Sequence, residues 1–116
     1  MRRNKDEILV GIYLLCYNHA PYLRRCLDSI LSQKVNFRFQ VVVGEDCSTD
    51  NSREVLKEYE SKYSDRLLVI YNEKNLGPTA NADNVRRHVQ GKYLCGGETD
   101  DFWVDEYRLQ KQVDFL

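Results

Sequence analysis

The sequence has 116 residues, of which 42% are hydrophobic, so it holds one domain with a real core and little more. Seventeen Lys and Arg stand against 18 Asp and Glu without a long run of either sign, which gives no sign of a nucleic-acid surface. The four cysteines, Cys16, Cys26, Cys47 and Cys95, share no CxxC spacing and read as small buried hydrophobes in a reducing compartment, not as disulfides or a zinc site.

The chain opens with Arg2, Arg3 and Lys5 ahead of an apolar run, a faint imitation of a signal peptide. Asp6 and Glu7 spoil the basic region, and the apolar run is too short to span a bilayer, so the expected location is cytoplasmic, at the inner face of the membrane in a full-length protein. Residues 8–15 are nearly all apolar, as in a strand buried on both faces. Pro21 suits a first helical turn, and Leu23, Leu27, Ile30 and Leu31 recur at helical spacing to Gln33. A second strand is predicted over 37–43. The capping-rich Ser48, Thr49 and Asp50 then lead into a helix to about Tyr63, with Val55, Leu56, Tyr59 and Tyr63 inward.

A third strand is predicted over 67–71, followed by a turn through Asn75 and Gly77. The next helix, about 79–90, takes Ala80, Ala82, Val85 and Val89 as its inward stripe and Gly91 as its stop. A fourth strand over 93–95 runs into Gly96, Gly97, Glu98, Thr99, Asp100 and Asp101, with Phe102 and Trp103 expected to shield that acidic stretch from water. A last helical segment, 104–116, carries Leu109, Val113 and Leu116 on one side. Strands alternating with helices predict an α/β fold, a mostly parallel sheet flanked by helices.

Three strand ends carry polar groups: Tyr17, Asn18 and His19; Glu45 and Asp46; Glu98, Asp100 and Asp101. Right-handed crossovers bring the carboxyl ends of parallel strands to one edge of the sheet, so these turns are expected to converge on one crevice. No glycine-rich phosphate loop follows any strand, so a phosphate-bearing ligand needs a cation, and carboxylates at 98, 100 and 101 suit a hard divalent ion. Tyr17 reads equally as a packed turn aromatic, and Asp46 also as a cap for the next helix. His19 reads as a turn residue, with nothing in the sequence to pair with it.

These residues resemble the family 2 glycosyltransferases of the GT-A fold, over nearly the whole chain. Tyr17 and Asn18 match the family's Tyr-Asn, and Gln33 the Gln closing its first helix. Residues 45–50 match Asp-Asp-Gly-Ser-Thr-Asp, Asn75 to Gly77 match Asn-x-Gly, and Glu98 to Asp101 match Asp-x-Asp-Asp. Glu45 and Glu98 replace Asp, Leu15 and Cys16 replace Pro-Thr, and Asp83 takes a position where many members carry Arg.

The resemblance implies a Rossmann-like GT-A nucleotide-binding half, residues 1–116, truncated before the acceptor-binding part. It implies a hexosyltransferase-type enzyme that transfers a sugar, with inversion, from a UDP-linked donor to an acceptor hydroxyl on a glycan or lipid-linked molecule, in polysaccharide or surface-glycan synthesis. By the same resemblance Tyr17, Asn18, Asp46, Glu98 and Asp100 bind the nucleotide sugar. Asp100 and Asp101 hold Mn²⁺ or Mg²⁺, and the general base lies outside the chain. An open sheet edge at the truncation implies self-association. Two other readings stand beside this one. The first is a non-catalytic nucleotide-binding module of the same fold. The second is a receiver-like signalling domain, which requires a lone Asp and a later Lys at strand ends, neither of which is evident.

Overall fold

The computed structural model describes residues 7–116; the basic opening stretch lies outside them. Eight elements alternate strictly: β1 (Ile8–Cys16), α1 (Ala20–Leu31), β2 (Arg38–Glu45), α2 (Ser52–Lys62), β3 (Leu67–Tyr71), α3 (Pro78–Arg86), β4 (Tyr93–Glu98) and α4 (Arg108–Phe115). The sheet order is β3-β2-β1-β4 and every pairing is parallel. The expected α/β architecture is therefore what forms. The apolar run at 8–16 is an internal strand, as its two-sided hydrophobicity requires.

Leu23, Cys26, Leu27, Ile30 and Leu31 of α1, Val55, Leu56 and Tyr59 of α2, and Leu109 of α4 cover the sheet with Ile12, Leu14, Val41 and Val43. The other face is closed by α3, whose inward stripe differs from the expected one. Asn81 and Val85 are buried and Ala80 is exposed. The helix approaches β2 so closely that a Cβ on Gly44 would overlap Asn81 and Val85. It ends at Arg86, short of Gly91, because the chain must turn back over β1. There Gly91 meets Gly11 with no room for a Cβ.

Two strands run further than expected. β2 includes Gly44 and Glu45, and β4 includes Gly96, Gly97 and Glu98. Gly96 makes room for the ring of Tyr13 on the neighbouring strand, and not for a ligand. β4 is an edge strand, with Leu94 about half exposed. Gln33 ties the C-terminal segment to α1: its Nε2 donates to the Asp105 carbonyl at 2.8 Å, and its Oε1 accepts from Leu109 N at 2.9 Å. No helix among the described residues is long and apolar enough to cross a membrane.

Candidate functional site

Register sets the site. Cys16 pairs with Glu45, Leu15 with Glu98 and Glu45 with Tyr71, so the four strands end nearly flush and their following loops leave at one edge. The ladder even extends one step past the strands, with Asp46 N donating to the Cys16 carbonyl at 2.9 Å and Thr99 N to the Leu15 carbonyl at 3.1 Å.

Asp46 is 3% exposed and does not cap α2. Its Oδ1 accepts from Leu76 N at 2.8 Å and Asn72 Nδ2 at 3.0 Å, and its Oδ2 from Gly77 N at 3.0 Å. The carboxylate thus folds the β3–α3 loop around itself, and Asn75 Nδ2 adds a bond to the Asp46 carbonyl at 3.1 Å. Gly77, at φ 85° and ψ 160°, takes a conformation that only glycine adopts readily. Asn72 Nδ2 also reaches Asn81 Oδ1 at 3.0 Å, and Asn81 Nδ2 donates to the Gly44 carbonyl at 3.0 Å. Beneath this network the fully buried Glu45 pairs with Arg53, which also donates to the Asn72 carbonyl. Glu45 Oε1 accepts from Ser48 N at 2.7 Å. Every polar atom of a buried carboxylate must be answered in this way, because an unpaired buried charge is costly.

The β1–α1 turn is locked to the β2–α2 turn. Asn18 adopts φ 55°, and its Oδ1 accepts from Thr49 N at 2.8 Å, Thr49 Oγ1 at 3.3 Å and Asp50 N at 3.3 Å. Asn18 N donates to Ser48 Oγ at 3.0 Å. Its carboxamide oxygen is therefore committed to loop structure, and Asn18 is not among the residues that wall the cleft. Asp50 bridges the two helix starts, accepting from Ser52 N at 2.9 Å, Ser52 Oγ at 2.6 Å and Ala20 N at 3.1 Å. Burial acts against its charge, but these hydrogen bonds outweigh it and hold the carboxyl below its usual range.

The loops enclose a cleft of about 320 Å³ lined by Tyr17, His19, Asp46, Asn75, Gly77 and Glu98, among others. Of the polar groups expected to converge on one crevice, Tyr17, His19, Asp46 and Glu98 line this cleft, whereas Asn18, Glu45, Asp100 and Asp101 are not among its walls. Tyr17 is 44% exposed, a ring presented to the cleft mouth and not packed away. Asp100 stands at the margin, with Oδ2 at 4.0 Å from His19 Nε2. The other ring nitrogen of His19, Nδ1, is 2.8 Å from Oγ1 of the fully buried Thr99, so His19 does have partners, contrary to its reading as a bare turn residue. Asp101 turns to its own backbone, accepting from Phe102 N at 2.8 Å.

Phe102 and Trp103 do not shield the cleft. Phe102 lies 3.5 Å beneath the Arg25 guanidinium of α1, and Trp103 N donates to Ser29 Oγ at 2.9 Å, so this pair anchors the segment after β4 to α1. Burial first, then the charges of Asp101 and Asp100, push the Cys26 thiol up to about 12, and burial also raises Cys16 and Cys95. All four cysteines are free, and Cys16 and Cys26 behave as the inert hydrophobes expected of them.

Among the described residues no group of three or more His, Cys, Asp or Glu side chains is placed to hold a metal ion. Asp100, about half exposed, fits the other arrangement open to a hard divalent ion: one or two protein carboxylates, with substrate phosphates and water completing the shell. His19 was legible as a polar strand-end group, though read only as a turn residue; Arg53, Asn72 and Asn81 were not legible as site residues. Of these three, Asn81 alone left a sequence signal, since it lies four residues before Val85 and so shares its face.

The chain is similar to known proteins in sequence and in fold. TuaG of Bacillus subtilis, named a putative teichuronic acid biosynthesis glycosyltransferase, is 32% identical over 108 residues, covering 93% of this chain and 42% of TuaG. The crystal structure of Staphylococcus aureus TarS in complex with UDP superposes with a TM-score of 0.81 at 26% identity, over 93% of this chain and 32% of the TarS chain. The mannosyltransferase PcManGT of Pyrobaculum calidifontis, solved with GDP-Man and Mn²⁺, shares the fold at a TM-score of 0.83 and 21% identity, over 99% of this chain and 36% of that one. The chain thus spans well under half the length of each of these proteins. The family described as glycosyl transferase family 2 matches residues 12–116. With that match extending over nearly all of the parallel sheet and every loop of the cleft, the chain belongs to glycosyl transferase family 2.

Proposed function

We propose that this chain is the donor-binding part of an inverting, hexosyltransferase-type glycosyltransferase that uses a UDP-linked sugar in the synthesis of a polysaccharide or surface glycan. The observation that carries this reading is the cleft at the carboxyl edge of the sheet where Tyr17, Asp46 and Glu98 meet, with Asp100 at the margin. The UDP bound by TarS and the role in TuaG's name support it.

Tyr17 offers its ring to the nucleobase. Both lone pairs of Asp46 Oδ1 are taken by Leu76 N and Asn72 Nδ2, and one pair of Oδ2 by Gly77 N, which leaves one acceptor site. One acceptor matches the single ring N–H of uracil. Asn18 acts indirectly, by holding the turn that carries Tyr17 against the β2–α2 loop. Glu98 faces the ribose and diphosphate side. Asp100, with Asp101 beside it, holds Mn²⁺ or Mg²⁺ together with the diphosphate; when bound, that ion offsets the charge of the departing nucleoside diphosphate.

We place the general base and the site for the glycan or lipid-linked acceptor outside these 116 residues, the whole enzyme at the cytoplasmic face of the membrane, and a route to self-association at the open edge of β4. Calorimetric titration of UDP- and GDP-sugars, with and without Mn²⁺, tests the reading on the wild type and on Asp100→Ala. Binding of UDP-sugars that strengthens with Mn²⁺ and weakens in Asp100→Ala is expected. No heat with any donor overturns donor binding; equal heats with and without the ion overturn metal assistance.

A further inference from the structure

The Asp46 carboxylate ends a chain of two side-chain amides whose polarity is fixed from its far end. Asn81 faces the Gly44 carbonyl at 3.0 Å, and a backbone carbonyl only accepts, so the facing atom is the amide nitrogen and the other terminal atom is the oxygen. That oxygen lies 3.0 Å from the Asn72 amide, which must therefore present its nitrogen. The second hydrogen of the same nitrogen goes to Asp46 Oδ1 at 3.0 Å. Both Asn72 amide hydrogens are thus spent, one on each neighbour. The Asn72 backbone is held separately, its N–H donating to the Glu45 carbonyl at 2.9 Å and its carbonyl accepting from Arg53. Only the amide torsion is left to set, and in asparagine that torsion is broad. One bond to Asp46 leaves it free to swing; the second, to Asn81, pins it.

We infer that Asn81 is a positioning residue for base selection: acting through Asn72, it keeps the Asp46 carboxylate turned so that its one remaining acceptor site meets the ring N–H of uracil. This inference rests on the uridine-nucleotide binding proposed above and names the side chains that set its base selectivity. Cytosine carries an acceptor at the same ring position and a donor on the adjacent exocyclic amine. A carboxylate held in place meets that ring lone pair with its own and repels it, whereas one free to turn accepts the amine instead. Asn81 and Asn72 are buried, at 2% and 7% exposed, so water does not readily stand in for either amide.

The test is calorimetric titration of UDP and CDP on the full chain, with the ratio of the two affinities as the readout. An unfolded fraction weakens both ligands by the same factor and cancels in that ratio. The wild type is expected to prefer UDP by about 10- to 100-fold, the worth of one hydrogen bond to a charged group. The preference is expected to fall to about 3-fold or less in Asn81→Leu and in Asn72→Ala, and no further in the double variant, because Asn81 acts through Asn72. A preference that survives Asn81→Leu, or a double variant that loses markedly more than Asn72→Ala alone, overturns the inference while donor binding stands. Hydrogen exchange of the Asn72 side-chain amide in the wild type tests the same contact without any variant. Both of its protons are expected to exchange more slowly than those of the exposed Asn51, and equal rates overturn the inference. If the wild type binds UDP and CDP equally, uracil recognition falls with it; if it binds neither, donor binding itself falls.

Discussion

Asp46→Asn isolates the structural work of the carboxylate from any contact with a donor. In the wild type the two oxygens take three donors, Leu76 N, Asn72 Nδ2 and Gly77 N. An asparagine keeps at most one oxygen, which in its best orientation retains Leu76 N and Asn72 Nδ2 and turns its own NH₂ against Gly77 N. Leaving that N–H unanswered costs about 1–3 kcal/mol, and the two surviving bonds each weaken by about 1 kcal/mol once the acceptor is neutral. The sum is about 3–5 kcal/mol, and water reaching the half-buried Gly77 favours the lower end. A domain of this size has a total stability of about 6–17 kcal/mol, so the loss is a large share of it. Urea unfolding followed by the fluorescence of Trp103, the chain's one tryptophan, measures it directly. At an m-value of about 1.5 kcal/mol per M, a loss of 3 kcal/mol lowers the midpoint by about 2 M. A midpoint within about 0.3 M of the wild type would refute the claim that Asp46 organises the β3–α3 loop. The same measurement guards the function assay, because loss of UDP binding in this variant bears on base recognition only if the fold survives.

Gly77→Ala is expected to destabilise by about 1–3 kcal/mol in urea unfolding through backbone strain alone, since a Cβ there would meet nothing within 4 Å; an unchanged midpoint would mean that the loop relaxes freely. Arg53→Met strands the buried Glu45 carboxylate and should cost about 3 kcal/mol, whereas adding Glu45→Gln should recover part of that loss; a double variant no more stable than the single one removes the ion pair as the cause. Burial, followed by the nearby Asp28 carboxylate, pushes the Tyr59 phenol up to about 12 from 10.0, so the protonated phenol stabilises the fold below pH 10 and that stability drains away as pH rises toward 12. Tyr59→Phe should be less stable by about 1 kcal/mol at about pH 8, through loss of the 2.7 Å bond to Asp28, and the gap should narrow at about pH 11; a gap that stays constant contradicts the linkage. Cys47 adopts φ 59°, so Cys47→Val should cost about 1–2 kcal/mol while Cys47→Gly stays near the wild type, as read by the same midpoints.

Much of the chain declared itself through period and punctuation. The two-sided apolar run of β1, the helical stripe of α1, the residues of β3 and the polar turns at three strand ends were all legible, and alternation alone gave the parallel sheet. The convergence of those turns followed from chain handedness. Partner choice was not legible. That Asn18 is spent on the Thr49–Asp50 turn, that Asp46 organises the β3–α3 loop instead of capping α2, that Glu45 is buried against Arg53, and that Phe102 leaves the cleft for Arg25 all join residues 8 to 77 positions apart. Periodicity reports only which face of an element is apolar, and a polar side chain near a strand end satisfies that pattern wherever it points. Which donor it meets depends on register and on the approach of helices from elsewhere in the chain, as with α3 seated against Gly44. The sequence by itself determined that the polar loops share one edge of the sheet; only the tertiary structure decided which of their atoms are spent on holding that edge together and which remain for a ligand.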